Sequence, residues 1–330
     1  GWGGYWAWGP VENASLMPWL TATAFLHSAM VQERRGMLRL WNLSLIIATF
    51  LLTILGTFLT RSGIISSVHA FAQGSIGYYF MGFITLALLF SLVLLAGRSG
   101  QLRSEGNLDG VASRETIFLF NNLLLTTFTF PVLLGTLFPL VAEAMRGVKV
   151  SVGAPFFNRM TLPLCVALIF LMGVGPALPW RLATPAVLRR KLVPPVVAAL
   201  IVGAVAFVFG IRQIYALLTF AFGAFALVAN GHEYLDGIRA RRKAHGEGAL
   251  TALGRLIAAN PRRYGGYIAH VGVIMMAAGI AASSAYRQEF EATLGKGQTM
   301  KADKFELRYD DLWAVNEPQR FIIGADLAVL

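Results

Sequence analysis

The sequence predicts an all-α polytopic membrane protein of about eight transmembrane helices, followed by a small C-terminal extracytoplasmic β-rich unit. Three observations carry that prediction. Of the 330 residues, 56% are hydrophobic and the mean hydropathy is +0.62, whereas a soluble domain is about 45–50% apolar. Runs of about 17–25 apolar residues recur along the chain, each long enough to cross a bilayer core. After residue 285 the texture changes to short stretches that alternate apolar and polar side chains, the period of a strand.

The helices read, in order, as residues 13–32, 41–60, 77–97, 116–139, 160–179, 193–210, 212–231 and 265–284. In lipid each span must satisfy its own backbone hydrogen bonds, which selects helix over open strand. Asn13 or Ser15 is a candidate cap for the first. Pro18 falls near its first turn, Pro139 would close the fourth helix, Pro176 and Pro179 the fifth, and Pro194 and Pro195 would open the sixth. The chain thus divides into a tryptophan-rich extracytoplasmic motif at 1–12, a helical membrane domain at 13–284 and a soluble β-rich unit at 285–330. In the last, 288–294, 304–309 and 321–324 read as strands. The chain stops at Ala328-Val329-Leu330 inside an apolar run, so the unit is expected to continue further.

The net charge of +11 is distributed as a topology signal and not as a nucleic-acid patch. With the N-terminus outside, the loops on the inner side carry 17 Lys and Arg against 5 in the outer loops. The positive-inside rule then puts residues 1–12 on the periplasmic face of a bacterial inner membrane and Arg239-Ala240-Arg241-Arg242-Lys243 in the cytoplasm. A single cysteine, Cys165, excludes an internal disulfide and a Cys-x-x-Cys heme-attachment motif, and it reads as a small buried apolar residue. No phosphate-binding glycine loop, dinucleotide fingerprint or HExxH occurs.

Chemistry is concentrated in the tryptophans and histidines. Trp2, Trp6, Trp8 and Trp19, four of the seven tryptophans, fall in the first nineteen residues, interleaved with Gly1, Gly3 and Gly4. Flat aromatic faces with glycine between them suit a shelf for a large planar apolar ligand. An interfacial aromatic belt is the competing reading. Of five histidines, His232 and His245 read as solvated residues beyond the seventh helix. His27 and His270 lie inside membrane segments at matching depth in the inner half, about five and six residues from the inner ends of their helices. Intramembrane ionisable groups are costly and tend to be functional. Two imidazoles so placed can bind one heme iron from both sides, or each can be a hydrogen-bonded structural residue. His69 lies in the outer loop after the second helix, on the face of the tryptophans.

The stretch from Trp2 to Leu20, with Pro10-Val11-Glu12-Asn13-Ala14-Ser15 at its centre, resembles the tryptophan-rich "WWD" signature of the heme-handling superfamily. Together with His27-Ser28, Glu33-Arg34-Arg35-Gly36, 56–63, Ser67-Val68-His69-Ala70-Phe71 and 260–270, it makes the chain similar to the cytochrome c maturation heme lyases. Two features depart from that pattern. Gly9 stands where the family has the Asp that names the motif, and the chain begins inside the motif, so the family's N-terminal half is absent.

The resemblance implies a resident heme b on His27 and His270. It also implies an outer exchangeable heme on Trp2, Trp6, Trp8 and Trp19, with His69 as one axial ligand and a partner ligand that precedes the motif. Arg61 is a candidate propionate contact. The implied activity is thioether attachment of heme to apocytochrome c, with a heme chaperone, thiol-handling proteins and a quinol as partners. A heme transporter without ligation chemistry, or a chain active only beside a partner chain, stays open as an alternative.

Overall fold

The computed structural model describes residues 6–62, 76–103, 110, 113–180, 183–286, 290–317 and 320–330. The expected fold class is borne out: a helical membrane domain and a three-stranded antiparallel sheet. The chain forms two compact units, 1–285 and 286–330.

The helical unit contains α1 (Pro10–Arg35), α2 (Arg39–Arg61), α3 (Ile76–Arg98), α4 (Arg114–Arg146), α5 (Ala154–Ala177), α6 (Pro185–Val208), α7 (Ile214–His245), α8 (Ala249–Ala259) and α9 (Pro261–Tyr286). Seven of these are long and apolar enough to cross a membrane: α2, α3, α4, α5, α6, α7 and α9. The eighth expected span, α1, is as long but more polar, and it turns Asn13, Thr21 and Ser28 into the protein. Those groups tie it to its neighbours. Asn13 Nδ2 donates to Thr136 Oγ1 at 3.0 Å, Thr21 and Thr49 hydroxyls are 2.8 Å apart, and Ser28 donates to Asn42. Where lipid is as apolar as leucine, such bonds supply cohesion that hydrophobicity cannot. Packing runs from α3 through α2, α1, α4, α5 and α7 to α6, with α8 against α7. Met17, Leu20, Leu125, Phe128 and Val132 form the buried centre of the α1–α4 contact.

Several expected boundaries are corrected. Neither Asn13 nor Ser15 caps α1. The helix starts at Pro10, whose missing N–H costs nothing at the first position. Glu12 folds back so that its Oε2 accepts from the Gly9 N–H at 2.8 Å. Pro18, Pro139, Pro194 and Pro195 lie inside helices and do not bound them, since packed neighbours accommodate a lost ladder bond in a membrane helix. The seventh helix continues past 231 to His245 because Ala, Arg, Lys and Glu all favour helix. It stops at Gly246, which takes φ 67° and donates to the Arg242 carbonyl at 3.0 Å.

In the second unit β1 (Thr299–Ala302), β2 (Phe305–Glu317) and β3 (Arg320–Val329) form a meander. β2 and β3 pair from Leu307↔Val329 to Glu317↔Arg320, with a bulge between Tyr309 and Asp311. Gly324 lies opposite Trp313, whose ring would be 2.3 Å from a Cβ there. Residues 290–294 are not a strand; the strand predicted there forms instead at 299–302.

Candidate functional site

Two groups of candidate residues lie in the helical unit. The first is built by α1 and α9. His27 is eight residues from the C-terminal end of α1 and His270 nine residues from the start of α9. At about 1.5 Å per residue both are some 12–14 Å in. Their rings are nearly parallel, at 7°, with centroids 6.3 Å apart.

That separation is too wide for face contact, which needs about 3.5–4 Å. A metal–imidazole bond of about 2.0–2.1 Å on each side of one ion would hold two ring centroids about 6–6.5 Å apart. The backbones of α1 and α9 do not pack closely on each other, so the histidines face one another across a gap.

Each ring has a defined setting. His27 Nδ1 is 2.8 Å from the Thr23 carbonyl oxygen. Donation there fixes a tautomer that leaves Nε2 as the ligand atom. Phe118 of α4 meets the His27 ring edge-on at 5.7 Å. His270 Nδ1 is buried without a hydrogen-bond partner, an orphan that an ion would satisfy, directly or with the ring turned over. No group of three or more His, Cys, Asp or Glu able to hold a bare metal ion occurs among the described residues. Two axial imidazoles alone therefore fit an iron whose equatorial ligands come with it, as in a porphyrin.

Toward the end of the bundle where α1 finishes and α9 starts, the site is cationic. Phe118 contacts Trp180 at 5.6 Å, and Trp180 carries Arg34 at 4.8 Å and Arg114 at 5.7 Å from its ring centroid. Arg114 Nε donates to the carbonyls of Gly175 and Leu178 at 3.1 and 2.9 Å, closing the end of α5. Arg263 donates to Glu233 and, at 3.3 Å, to Tyr267 Oη. Lys191 Nζ also donates to Glu233, at 2.7 Å, and to Asp236 at 2.8 Å.

The second group is at the opposite end of α1. Trp8, at φ 57°, stacks on Phe157 of α5 at 5.0 Å and 10°, and its Nε1 donates to Asn158 Oδ1 at 2.8 Å. Trp6 stands edge-on to Trp8 at 5.8 Å and is exposed. Glu12 Oε2 accepts from the backbone N–H of both Ala7 and Gly9. A Cβ on Gly9 would meet only Glu12 Oε2, at 3.6 Å, so the site has room for a side chain. Trp19 is 52% exposed on α1 and makes no ring contact with Trp6 or Trp8. Arg61 ends α2 at the same end of the bundle, since Gly56 of α2 lies level with Ala14 of α1. Trp2 and His69 lie outside the described residues.

Sequence reasoning singled out the two inner histidines but not Thr23, Phe118, Trp180, Arg34, Arg114 or Arg263 around them. For two of these a signal existed. Arg34 follows His27, and Arg263 precedes His270, by seven residues, two helical turns on one face.

The fold and these groups define a multi-pass membrane protein with an aromatic motif at one end and a half-buried histidine pair. Residues 1–66 match the family model described as "Cytochrome C assembly protein". Over 94% of its length the chain is 39% identical to the cytochrome c-type biogenesis protein CcmF of Pseudomonas aeruginosa, covering 46% of that protein. It is 35% identical to CcmF of Escherichia coli K12 over 96% of its length and 47% of theirs. A solved structure described as cytochrome c heme lyase CcmF matches the whole chain with a TM-score of 0.69 at 35% identity, over 48% of that chain. The chain is similar to the CcmF proteins, and it spans about half the length of the curated relatives it matches.

Proposed function

We propose that this chain serves cytochrome c maturation in a bacterial inner membrane, as part of a heme lyase. It would keep a heme b between His27 and His270 and hold a second, substrate heme at the tryptophan motif on the periplasmic face. The observation that carries this reading is the parallel pair of imidazoles, 6.3 Å apart across a gap between α1 and α9. The identity to CcmF proteins supports the rest.

At the inner site the chain orients and excludes. Thr23 fixes the His27 ring and Phe118 walls its edge. Heme bound there supplies a one-electron carrier, and its electron, donated by a quinol, would keep the substrate heme ferrous.

At the outer end the work is positioning. Trp8 is locked by Phe157 and Asn158, Glu12 ties the backbone of the loop, and Trp6 presents its ring to the outside. With Trp2, Trp19 and the His69 imidazole completing the shelf, and Arg61 near a propionate, one edge of the substrate would face two client thiols. Each thiol of apocytochrome c adds across a vinyl double bond. Sulfur bonds one carbon and the thiol proton goes to the other, so no electrons are gained or lost. A heme chaperone delivers the heme and thiol-handling proteins keep the client reduced.

The test is spectroscopic. The purified chain should carry the visible absorption of a low-spin bis-histidine heme. His27→Ala and His270→Ala should each abolish it. An unchanged spectrum in both variants would sink the assignment.

A further inference from the structure

Below the histidine pair, Arg34 and Arg263 occupy equivalent places on their helices. Arg34 lies seven residues after His27 on α1, and Arg263 seven before His270 on α9. Seven residues are within 20° of two full turns, so each arginine lies on its histidine's helix face, about 10 Å nearer the inner end. The two inner ends face each other, since Arg262 Nη1 and Glu33 Oε1 are 3.7 Å apart.

The surrounding charge is unbalanced. Glu233 is the carboxylate nearest Arg263, and it is shared with Lys191. Arg34 and Arg114 pair with no carboxylate among the described residues, and Arg34 rests on the Trp180 ring. Arg114 is within electrostatic range of Glu233 as well as of Arg263 and Arg34, so one carboxylate, already held by Arg263 and Lys191, faces several cations. Two imidazoles on facing helices, each with a guanidinium two turns below it on the same face, call for an anion on the lower edge of whatever lies between them.

We infer that Arg34 and Arg263 hold the two propionates of the inner heme, one from each wall, and so fix the in-plane orientation of the ring with its carboxylates toward the inner face. This rests on the inner-heme reading above. Two histidines set the iron and the plane, but they leave rotation about the iron–nitrogen axis free; a pair of cations below fixes it. Arg114, tied to the α5 carbonyls, adds field and no direct contact. The same cations also raise the heme midpoint potential, because they favour the less positively charged, reduced iron.

The experiment uses the full chain in nanodiscs, stripped of heme and reconstituted with either protoheme or its dimethyl ester, whose carboxylates are neutralised. Both pigments should give the bis-histidine spectrum, with the ester bound roughly 10–100-fold more weakly, as expected for loss of charge-assisted contacts. In the double variant Arg34→Gln, Arg263→Gln the preference should vanish and the midpoint potential should fall. The Arg34→Lys, Arg263→Lys pair should restore most of both. Equal affinity of the wild-type chain for the two pigments, or a preference that persists in the Gln pair, overturns the proposal. If the Gln pair does not fold, the wild-type comparison alone still decides. A preference that appears only in nanodiscs lacking anionic lipid would mean that the arginines hold lipid headgroups, and also overturns it. Absence of the bis-histidine spectrum with either pigment sinks the inner-heme reading itself, whereas a normal spectrum without preference sinks only the propionate contacts.

Discussion

Glu12 shows how one side chain can shape a motif. Its Oε2 takes two backbone N–H groups, from Ala7 and Gly9, and so holds the turn that puts Trp8 against Phe157. Glu12→Ala would leave both donors without that acceptor and remove a cap worth about 1–2 kcal/mol. Tryptophan emission should shift to the red and the segment before Pro10 should become more sensitive to protease, while Glu12→Gln, which keeps one oxygen, should do less. No change in either measurement would show that the turn is held by other contacts. This role was hidden in the sequence. Glu12 sits where a capping residue is expected, but the Asn13 and Ser15 beside it are the better caps by type, and only the position of Pro10 shows that the helix starts earlier. Trp8 was equally opaque, because nothing local says that Phe157 and Asn158, far along the chain, receive it. The two inner histidines were legible for a simpler reason. A charge-bearing ring inside an apolar run is conspicuous, and helix rise alone converts sequence position into depth.

At the scale of elements, hydrophobic run length located every span, but it misjudged several ends. Prolines suggest boundaries that a packed membrane helix does not need, and α8 escapes a reading by run length because its eleven residues are too few to mark a span. Close crossings were not legible either. Gly173 of α5 meets α7 so tightly that a Cβ would lie 2.5 Å from Phe225 Cδ1 and 2.8 Å from Ala226 Cα. Gly173→Ala should therefore force these helices apart at a cost of about 1–3 kcal/mol, read as a lower thermal midpoint in detergent. Gly82→Ala on α3, with open space around it, should be neutral or better. Equal midpoints for the two variants would contradict the crossing.

The turn between α7 and α8 titrates. Glu247 accepts from Arg241 at 2.9 and 3.0 Å and from Arg255 at 2.7 Å, and these arginines pull its carboxyl down to about 2. A carboxyl depressed in the folded state stabilises above its ordinary pKa of about 4.3 and loses that contribution as pH falls toward 2. Amide exchange at 246–256 should accelerate over that window in the wild type and already be fast at neutral pH in Glu247→Gln.

For the whole molecule, the membrane class was legible because composition reports it directly, and sidedness was expected from the loop charges. Single cysteines introduced in Cys165→Ser protein give the test. Positions 7 and 303 should react with a membrane-impermeant reagent from the periplasmic side, and position 243 only after the cytoplasmic side is opened. Labelling of position 7 from the cytoplasm would invert the topology and remove the proposed outer site from its client. Which residues of the relatives lie beyond this chain is not written in its sequence, and an outer site that draws a ligand from elsewhere would be built only in part from these 330 residues.

His27 and His270 stand on the first and last of the nine described helices, whose backbones do not pack on each other. During synthesis at about 5–20 residues per second, roughly 10–50 s separate the emergence of the two rings. The pair cannot exist until α9 has been inserted, so on the proposed reading heme would enter between the two rings only after α9 has joined the helices made before it. A chain cut short before α9 should fold most of its packed helices and lack the bis-histidine absorption.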